Sequence, residues 1–480
     1  MTTTTSALIA LGLYLLALLA MAMQAKHAGF NAEGYFLAGR NLGPIVLFFT
    51  LIATNFSAFF FIGFAGAGYR IGLSYYPMMA FGTGLAALSF ASFGLKVREL
   101  GRRHGFITPS ELIGYLVPGQ ATRLLVLAVM VLFTMPYLAL QPVGAGYLLE
   151  TLTDGLIPYP VGALLLTIAI VLYVVRGGMD GVARTDVLQG VLMFVLMLAG
   201  FIAIAQGLGG FELANRMILA QRPALFSPSG LNGFFTPQMW MSYLLLWPLC
   251  LPMFPQMLMR FFAAGEARSL RLATILYPVV AGTLFLCPVL IGVWGHLAFP
   301  DLIGRSTDGI MPLMLERFSP AWLNGLVMVG AIAAFMSTLD SQLLALSSML
   351  TRDVYRGLLR PQASISNQVL IGRFVVVVLA LGGLAIALNP PQAILALATQ
   401  AFSGLALLAP VMFAAVFGIS IRSQAAVLSI LLGELTLLGF TIDLIPEKFT
   451  AGYLPLLPAL SISLSILMID QVMAQLKKRY

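Results

Sequence analysis

Apolar runs of about 20 residues recur along the chain from end to end, and that length matches the hydrocarbon thickness of a bilayer. About thirteen such runs are read, near 6–25, 44–68, 73–97, 119–149, 156–175, 185–207, 238–262, 272–298, 320–350, 369–388, 391–420, 424–443 and 453–473. A chain that is 60% hydrophobic and 9% charged, with 33 Phe and 24 Met, carries far more apolar sequence than a soluble core needs. Its mean hydropathy of +0.97 agrees. The expected fold class is an all-α polytopic membrane protein. The opening run lacks a basic leader and is too long for a signal-peptide core, so it is read as the first span.

The formal charge of +8 does not point to nucleic acid. With the N-terminus outside and the C-terminus inside, all but six of the 26 Lys and Arg fall on inner loops or the tail, Lys26, Arg184, Arg260 and Lys477 among them. The six are Arg70, Arg216, Arg222, Arg305, Arg317 and Lys448. That asymmetry is the positive-inside signature of a multi-pass protein in a cell membrane. Cys250 and Cys287 lie in apolar runs and form no metal-binding or disulfide pattern. The outer segments 208–237 and 299–319 are long enough for small helices, and no soluble domain is visible.

Two spans are interrupted. The second, "LFFTLIATNFSAFFFIGFAGAGY", is polar at Thr54 to Ser57 and then glycine-rich at Gly63, Gly66 and Gly68. The seventh, "LLLWPLCLPMFPQMLMRF", holds Pro248, Pro252 and Pro255. Proline removes helical hydrogen bonds, and open backbone is tolerated at membrane depth only where it is buried or lines a cavity. A pair of broken helices five spans apart points to a transporter built from inverted repeats, with its site at mid-membrane.

The ninth span contains "FMSTLDSQLL", residues 335–344. Helical spacing puts Ala334, Ser337, Thr338 and Ser341 on one stripe, with Asp340 at its edge. Hydroxyl and carbonyl oxygens suit a small alkali cation; equally, such hydroxyls bond back to their own helix and help helices pack. Packing does not explain the acid, since a carboxylate at the bilayer centre costs roughly 2.5–3.5 kcal/mol. Asp186 is the other buried acid of interest. Glu434 is read near the outer end of its span and is left outside the site.

Six blocks in order resemble the sodium:solute symporter family: "YFLAGRNLGP", "ATNFSAFFFIGFAGAGYRIGL", "GFITPSELI", "VVRGGMDGVARTDVLQG", "FPQMLMRFFAA" and "AAFMSTLDSQLLALSSMLTRDVYR". "NPPQAILAL" and "AFSGLALLAPV" look most like its proline and pantothenate branch. The resemblance implies a leucine-transporter-like core of two inverted five-helix repeats, with one extra N-terminal and two extra C-terminal helices. The chain then divides into residues 1–43 (first helix and linker), 44–207 (first repeat), 208–420 (outer loop and second repeat) and 421–480 (two helices and tail). It implies sodium-coupled import by alternating access, with Na+ as the co-transported ion, no organic cofactor and no catalysis; a monomer suffices. The ligands of the ion would be the carbonyls of Ala53, Phe56 and Ala334 and the hydroxyls of Ser337 and Thr338.

A second cation site or a proton site would match Asp186, Asp340 and Ser341. The family usually has a small or hydroxyl residue at position 340, and Asp340 could instead pair with an inner-face arginine such as Arg184. Substrate would lie against Asn55, Ala58, Phe59, Phe60, Trp247, Phe254, Gln256, Gln400 and Ser403. Apolar Phe60 and Met79 stand where sugar carriers are polar, and no basic residue is evident at mid-membrane, so a small, partly apolar organic solute is expected. A solute sensor acting through a separate signalling partner, and a proton-coupled variant of the carrier, are the alternatives.

Overall fold

The computed structural model describes residues 3–24, 32–390 and 393–479. Lys26, and Pro391 and Gln392 of the "NPPQAILAL" block, lie outside the described residues, as do the side chains of Lys477, Lys478 and Arg479. The described residues form helices, and one isolated bridge, Leu42 to Ala264, is the only strand-like pairing among them.

In chain order the α-helices begin with α1 (Thr3–Gln24), α2 (Ala32–Leu37), α3 (Pro44–Asn55), α4 (Phe64–Ile71), α5 (Tyr75–Ser89), α6 (Leu95–His104), α7 (Pro109–Leu116) and α8 (Gln120–Leu152). They continue with α9 (Tyr159–Gly207), α10 (Phe211–Gln221), α11 (Pro237–Cys250), α12 (Pro255–Ala263), α13 (Ala267–Gly295) and α14 (Ile310–Phe318). The last six are α15 (Ala321–Met349), α16 (Ile365–Leu388), α17 (Ile394–Ala406), α18 (Ala409–Val416), α19 (Ser423–Thr441) and α20 (Leu456–Arg479). The outer segments hold the small helices α10 and α14.

Nine of the described helical segments are long and apolar enough to cross a membrane, and two bent pairs bring the number to 11. The spans expected at 156–175 and 185–207 merge into α9, whose 49 residues are broken only at Gly178 (φ 55°, ψ −156°). Straight, such a helix would be about 74 Å long, more than twice the hydrocarbon thickness. The break at Gly178 falls between the two expected spans.

Both expected breaks are present. The helix at Pro44–Asn55 meets the one at Phe59–Ile71 at 56°, and Pro237–Met253 meets Pro255–Ala263 at 53°. The second follows from local chemistry. A residue before proline is pushed out of the α region, and Phe254 sits at φ −61°, ψ 126° before Pro255, the first residue of α12. Pro248 stays inside α11, so one of the three prolines makes the sharp bend.

The first break has no proline and is held by side chains. Phe56 leaves the helix at ψ 97°. Beyond it, the Ala58 N–H donates to Gln141 Oε1 at 2.9 Å, and Gln141 Nε2 donates to the Tyr137 carbonyl at 3.0 Å. The glycines after the break do not loosen the helix. A Cβ at Gly68 would lie 2.3 Å from the Val289 carbonyl, and one at Gly292 would lie 2.0 Å from that of Ala65. They allow α4 and α13 to cross at backbone contact.

At the centre stands α15, buried at every residue from Val327 to Met349. A helix covered on all faces carries no amphipathic period, so its polar residues must find partners inside the protein.

Candidate functional site: an oxygen-rich ion site beside an aromatic cage

The end of α3 lies against the middle of α15. Ser337 Oγ is 2.8 Å from the Ala53 carbonyl and 3.0 Å from that of Ala334, and Thr338 Oγ1 is 3.3 Å from the Ala53 carbonyl. Each hydroxyl has one proton, so Ser337 cannot satisfy both carbonyls at once. The cluster has more lone pairs than hydrogens, and a small cation is what such a set accepts. Ala53, Ala334, Ser337 and Thr338 are thus brought together. Phe56 stands at the break, three residues beyond Ala53, and makes no hydrogen bond with the α15 hydroxyls among the described residues.

One turn along α15 is a second, charged cluster. Arg260 Nη2 lies 3.2 Å from Asp186 Oδ2, with both side chains 0% exposed. Arg260 Nε donates to Thr50 Oγ1 at 3.1 Å, and Thr50 in turn donates to Asp186. Arg260 also donates to Ser341, which lies 3.1 Å from Thr54 Oγ1 and donates to Asp340 Oδ1 at 3.0 Å. Tyr173 donates to the other oxygen of Asp340.

Asp186, Asp340 and Ser341 therefore meet as expected, but Arg260 is a correction. It is not an inner-loop residue: the short α12 turns back into the bundle and presents it to Asp186. The expectation of no buried base is corrected with it. Arg184 pairs with Asp180 at 3.1 Å on a half-exposed surface, so it is not the partner of Asp340. Among the described residues Asp186 Oδ1 has no hydrogen-bond partner.

Above the first cluster, Asn55, Phe56, Phe59, Phe60, Phe64, Met79, Thr83, Tyr137, Trp247, Phe285 and Phe402 enclose about 10 Å³. That is room for one water. Phe59 stacks on Trp247 with ring centroids 6.0 Å apart, and Phe402 meets Trp247 edge-on at 5.3 Å. Asn55 Nδ2 donates to Tyr277 Oη at 2.6 Å, and Trp247 Nε1 is buried without a partner.

Of the residues expected to hold substrate, Asn55, Phe59, Phe60 and Trp247 line this cage. Ala58 lies at the first break, and Phe254 packs behind the cage on Tyr137 and Phe402. Gln256 is buried in α12 with neither amide atom paired, and Gln400 is only part-buried beside α17 neighbours. Ser403 turns its hydroxyl onto the Thr399 carbonyl of its own helix at 2.8 Å. Tyr137, Phe285 and Phe402 were missed because they come from helices that meet only in three dimensions. The one local signal was Gln141, four residues after Tyr137 in an apolar run.

Two sets of tethers hold the broken helices. At one face Arg70 pairs with Asp308 at 2.9 Å, and Asp308 accepts the Ile394 N–H at 3.0 Å. At the other face, residues 32–43 are pinned across the broken helix. The Leu42 N–H donates to Ala263 at 3.2 Å and the Gly265 N–H to Leu42 at 2.9 Å. Arg40 pairs with Glu33 at 2.6 Å and donates to the Phe106 carbonyl at 2.7 Å, while Arg98 donates to the Ala264 and Gly265 carbonyls.

One broken helix meets the central helix at an oxygen-rich cluster, and the second is tied to both through Arg260, an arrangement suited to a membrane carrier. A model of the sodium:solute symporter family matches residues 35–433. The sodium/pantothenate symporter of Escherichia coli is 29% identical over 391 residues, covering 80% of this chain and 79% of that protein. The sodium/proline symporter of the same organism is 26% identical over 454 residues, covering 91% and 88%.

Among solved structures, a Na+-coupled sialic acid symporter in a substrate-bound outward-open state superposes with a TM-score of 0.81 at 17% identity, covering 98% of this chain and 97% of that one. A nucleobase-cation-symport-1 family transporter in a closed conformation gives 0.61 at 12% identity, covering 93% and 95%. The chain belongs to the sodium:solute symporter family, with a leucine-transporter-like fold. It is a multi-pass membrane protein that couples movement of a small solute to Na+.

Proposed function

We propose that this symporter imports a compact, partly apolar organic solute by alternating access between the two closures. Sodium sits among Ala53, Phe56, Ala334, Ser337 and Thr338, and the solute sits in the cage formed by Asn55, Phe59, Phe60 and Trp247 with their neighbours. The observation that carries this reading is the Ala53 carbonyl held by both α15 hydroxyls. Because Ala53 ends α3 just before the break, ion binding and the angle of the broken helix are mechanically one event. Proline and pantothenate, the solutes named for the relatives, fit the expected size class.

Thirteen passes, with the N-terminus outside and the C-terminus in the cytoplasm, place the 32–43 closure inside and Arg70 with Asp308 outside. The segments 44–207 and 208–420 then act as the two inverted halves, flanked by 1–43 and 421–480. Sodium entry is driven by its gradient and by the membrane potential, worth about 2.3 kcal/mol per charge per 100 mV.

Asp186, Asp340 and Ser341 form the second coupling site in this reading. The bare Asp186 Oδ1 is the position for a proton or a second cation. Solute uptake into proteoliposomes with and without an imposed sodium gradient tests the proposal: uptake that ignores sodium overturns it.

A further inference from the structure

At the face that carries residues 32–43, a polar pocket of about 800 Å³ opens between the 105–106 turn, α7, the start of α8 and the end of the span that contains α15. Three arginines line it. Arg123 is paired with Asp353 at 2.6 Å and Arg352 with Glu111 at 2.8 Å, both within the pocket wall. Arg356 lines the pocket with no hydrogen bond or ion pair among the described residues, so one positive charge is left over. The first turn of α8 also faces the pocket at Gly119 and Gln120 and has no side-chain cap. An uncapped helix N-terminus presents free N–H groups and a positive dipole end.

The pocket does not end there. Leu124 also belongs to a separate apolar groove of about 680 Å³ that runs along α8 and α19. On α8 the groove extends from Leu124 to Met135. From the first to the last of these twelve residues the helix rises about 16 Å, close to the depth of one leaflet, which is about half of the ~30 Å hydrocarbon core. Its walls, Leu132 (65% exposed) and Leu435 (51%), face outward. Glu434 lines the groove between Leu431 and Leu438, with neither carboxyl oxygen paired among the described residues. Glu434 is the twelfth of 19 residues in α19, so the expected position near the outer end of the span is corrected: it sits at mid-depth inside the groove.

We propose that the pocket and groove together bind one anionic phospholipid, its phosphate against Arg356 and the α8 N-terminus and an acyl chain along α8 and α19. The order of the parts is what singles out a lipid. A surplus positive charge sits at the membrane face, and an apolar channel one leaflet deep begins at the same residue, Leu124. A cationic headgroup finds no free acid there, because Glu111 and Asp353 are already paired. The occupant joins α8 and α19 at the face that carries residues 32–43.

The test uses the purified full chain in phosphatidylcholine nanodiscs with and without phosphatidylglycerol, read as the midpoint of thermal unfolding. Phosphatidylglycerol should raise the midpoint by several degrees. Arg356→Lys should keep the rise, whereas Arg356→Glu and the groove-filling Ala128→Trp should each abolish it, every variant being measured against its own phosphatidylcholine baseline. Inorganic phosphate should give no rise. An equal midpoint in the two lipids, or a rise retained in either Arg356→Glu or Ala128→Trp, overturns the proposal. A rise of the same size with inorganic phosphate alone overturns it in favour of a free-anion pocket.

Discussion

Arg260 and Asp186 form an ion pair with 3.2 Å between Nη2 and Oδ2, and neither side chain has any exposed surface. The pair ties α12, just past one helix break, to α9. Through Thr50 and Ser341 it also reaches the helix before the other break and the central helix. Both broken spans are therefore anchored to a single guanidinium. A pair of this kind is costly to strip on one side only, since removing one partner leaves a bare buried charge at about 3–5 kcal/mol.

Arg260→Met should accordingly lower the thermal midpoint and the yield of folded protein more than the double variant Arg260→Met with Asp186→Leu. The measurement is unfolding in detergent for the wild type, both singles and the double. Additive losses would mean that the two residues do not act as a pair.

Asp340 forms no ion pair among the described residues and is held by Tyr173 and Ser341. Asp340→Asn keeps the shape and removes the charge. Its expected effect is on the sodium cooperativity or the pH profile of uptake, with folded-protein yield near that of the wild type. If both profiles stay unchanged, the acid is structural.

Asp308 closes the opposite face and lies outside the spans. Burial raises its carboxyl above the usual range, and the Arg70 guanidinium and the Ile394 N–H offset this in part. A carboxyl raised in the folded state binds protons more tightly there than in the unfolded chain. Its contribution to stability is therefore greatest at acid pH and is lost as pH rises from the ordinary carboxylate value through the raised one. Relative to Asp308→Asn, which does not titrate, the wild type should gain stability as pH falls into the acid range and hold a constant difference above neutrality. Unfolding midpoints of the two proteins across pH check the sign.

Among the described residues, the Ala58 N–H at the first break is accepted by the Gln141 side chain. Gln141→Leu leaves that donor unsatisfied, at about 1–3 kcal/mol, and the loss falls on the bend between α3 and α4. Uptake should drop several-fold at saturating sodium and solute. A variant with wild-type turnover would show that the break holds without this bond.

The α15 half of the proposed ion site was legible in the sequence because its residues obey one helical period: Ala334, Ser337 and Thr338 share a face whatever surrounds them. The breaks were legible for a similar reason, since Pro255 forces Phe254 out of the helix and the polar stretch at Thr54 to Ser57 has no place in a continuous span. Arg260 was not legible. Five residues after Pro255, it counts as a loop cation unless the helix is known to fold back inside. The cage was half legible: Asn55, Phe59, Phe60 and Trp247 flank the breaks, whereas Tyr137, Phe285 and Phe402 arrive from three further helices. Apart from Gln141 one turn beyond Tyr137, nothing local distinguishes those three from ordinary membrane aromatics.

The central claim is that the α15 hydroxyls and the end of α3 hold the driving ion. The most direct measurement is the sodium activation curve of solute uptake in proteoliposomes for the wild type, Ser337→Ala and Thr338→Ala. Losing one ligand oxygen, at roughly 1.5–3 kcal/mol for an interaction with a charged group, should move half-activation to at least tenfold higher sodium in each variant while uptake at saturating sodium partly recovers. Activation curves that superpose on that of the wild type would contradict the account.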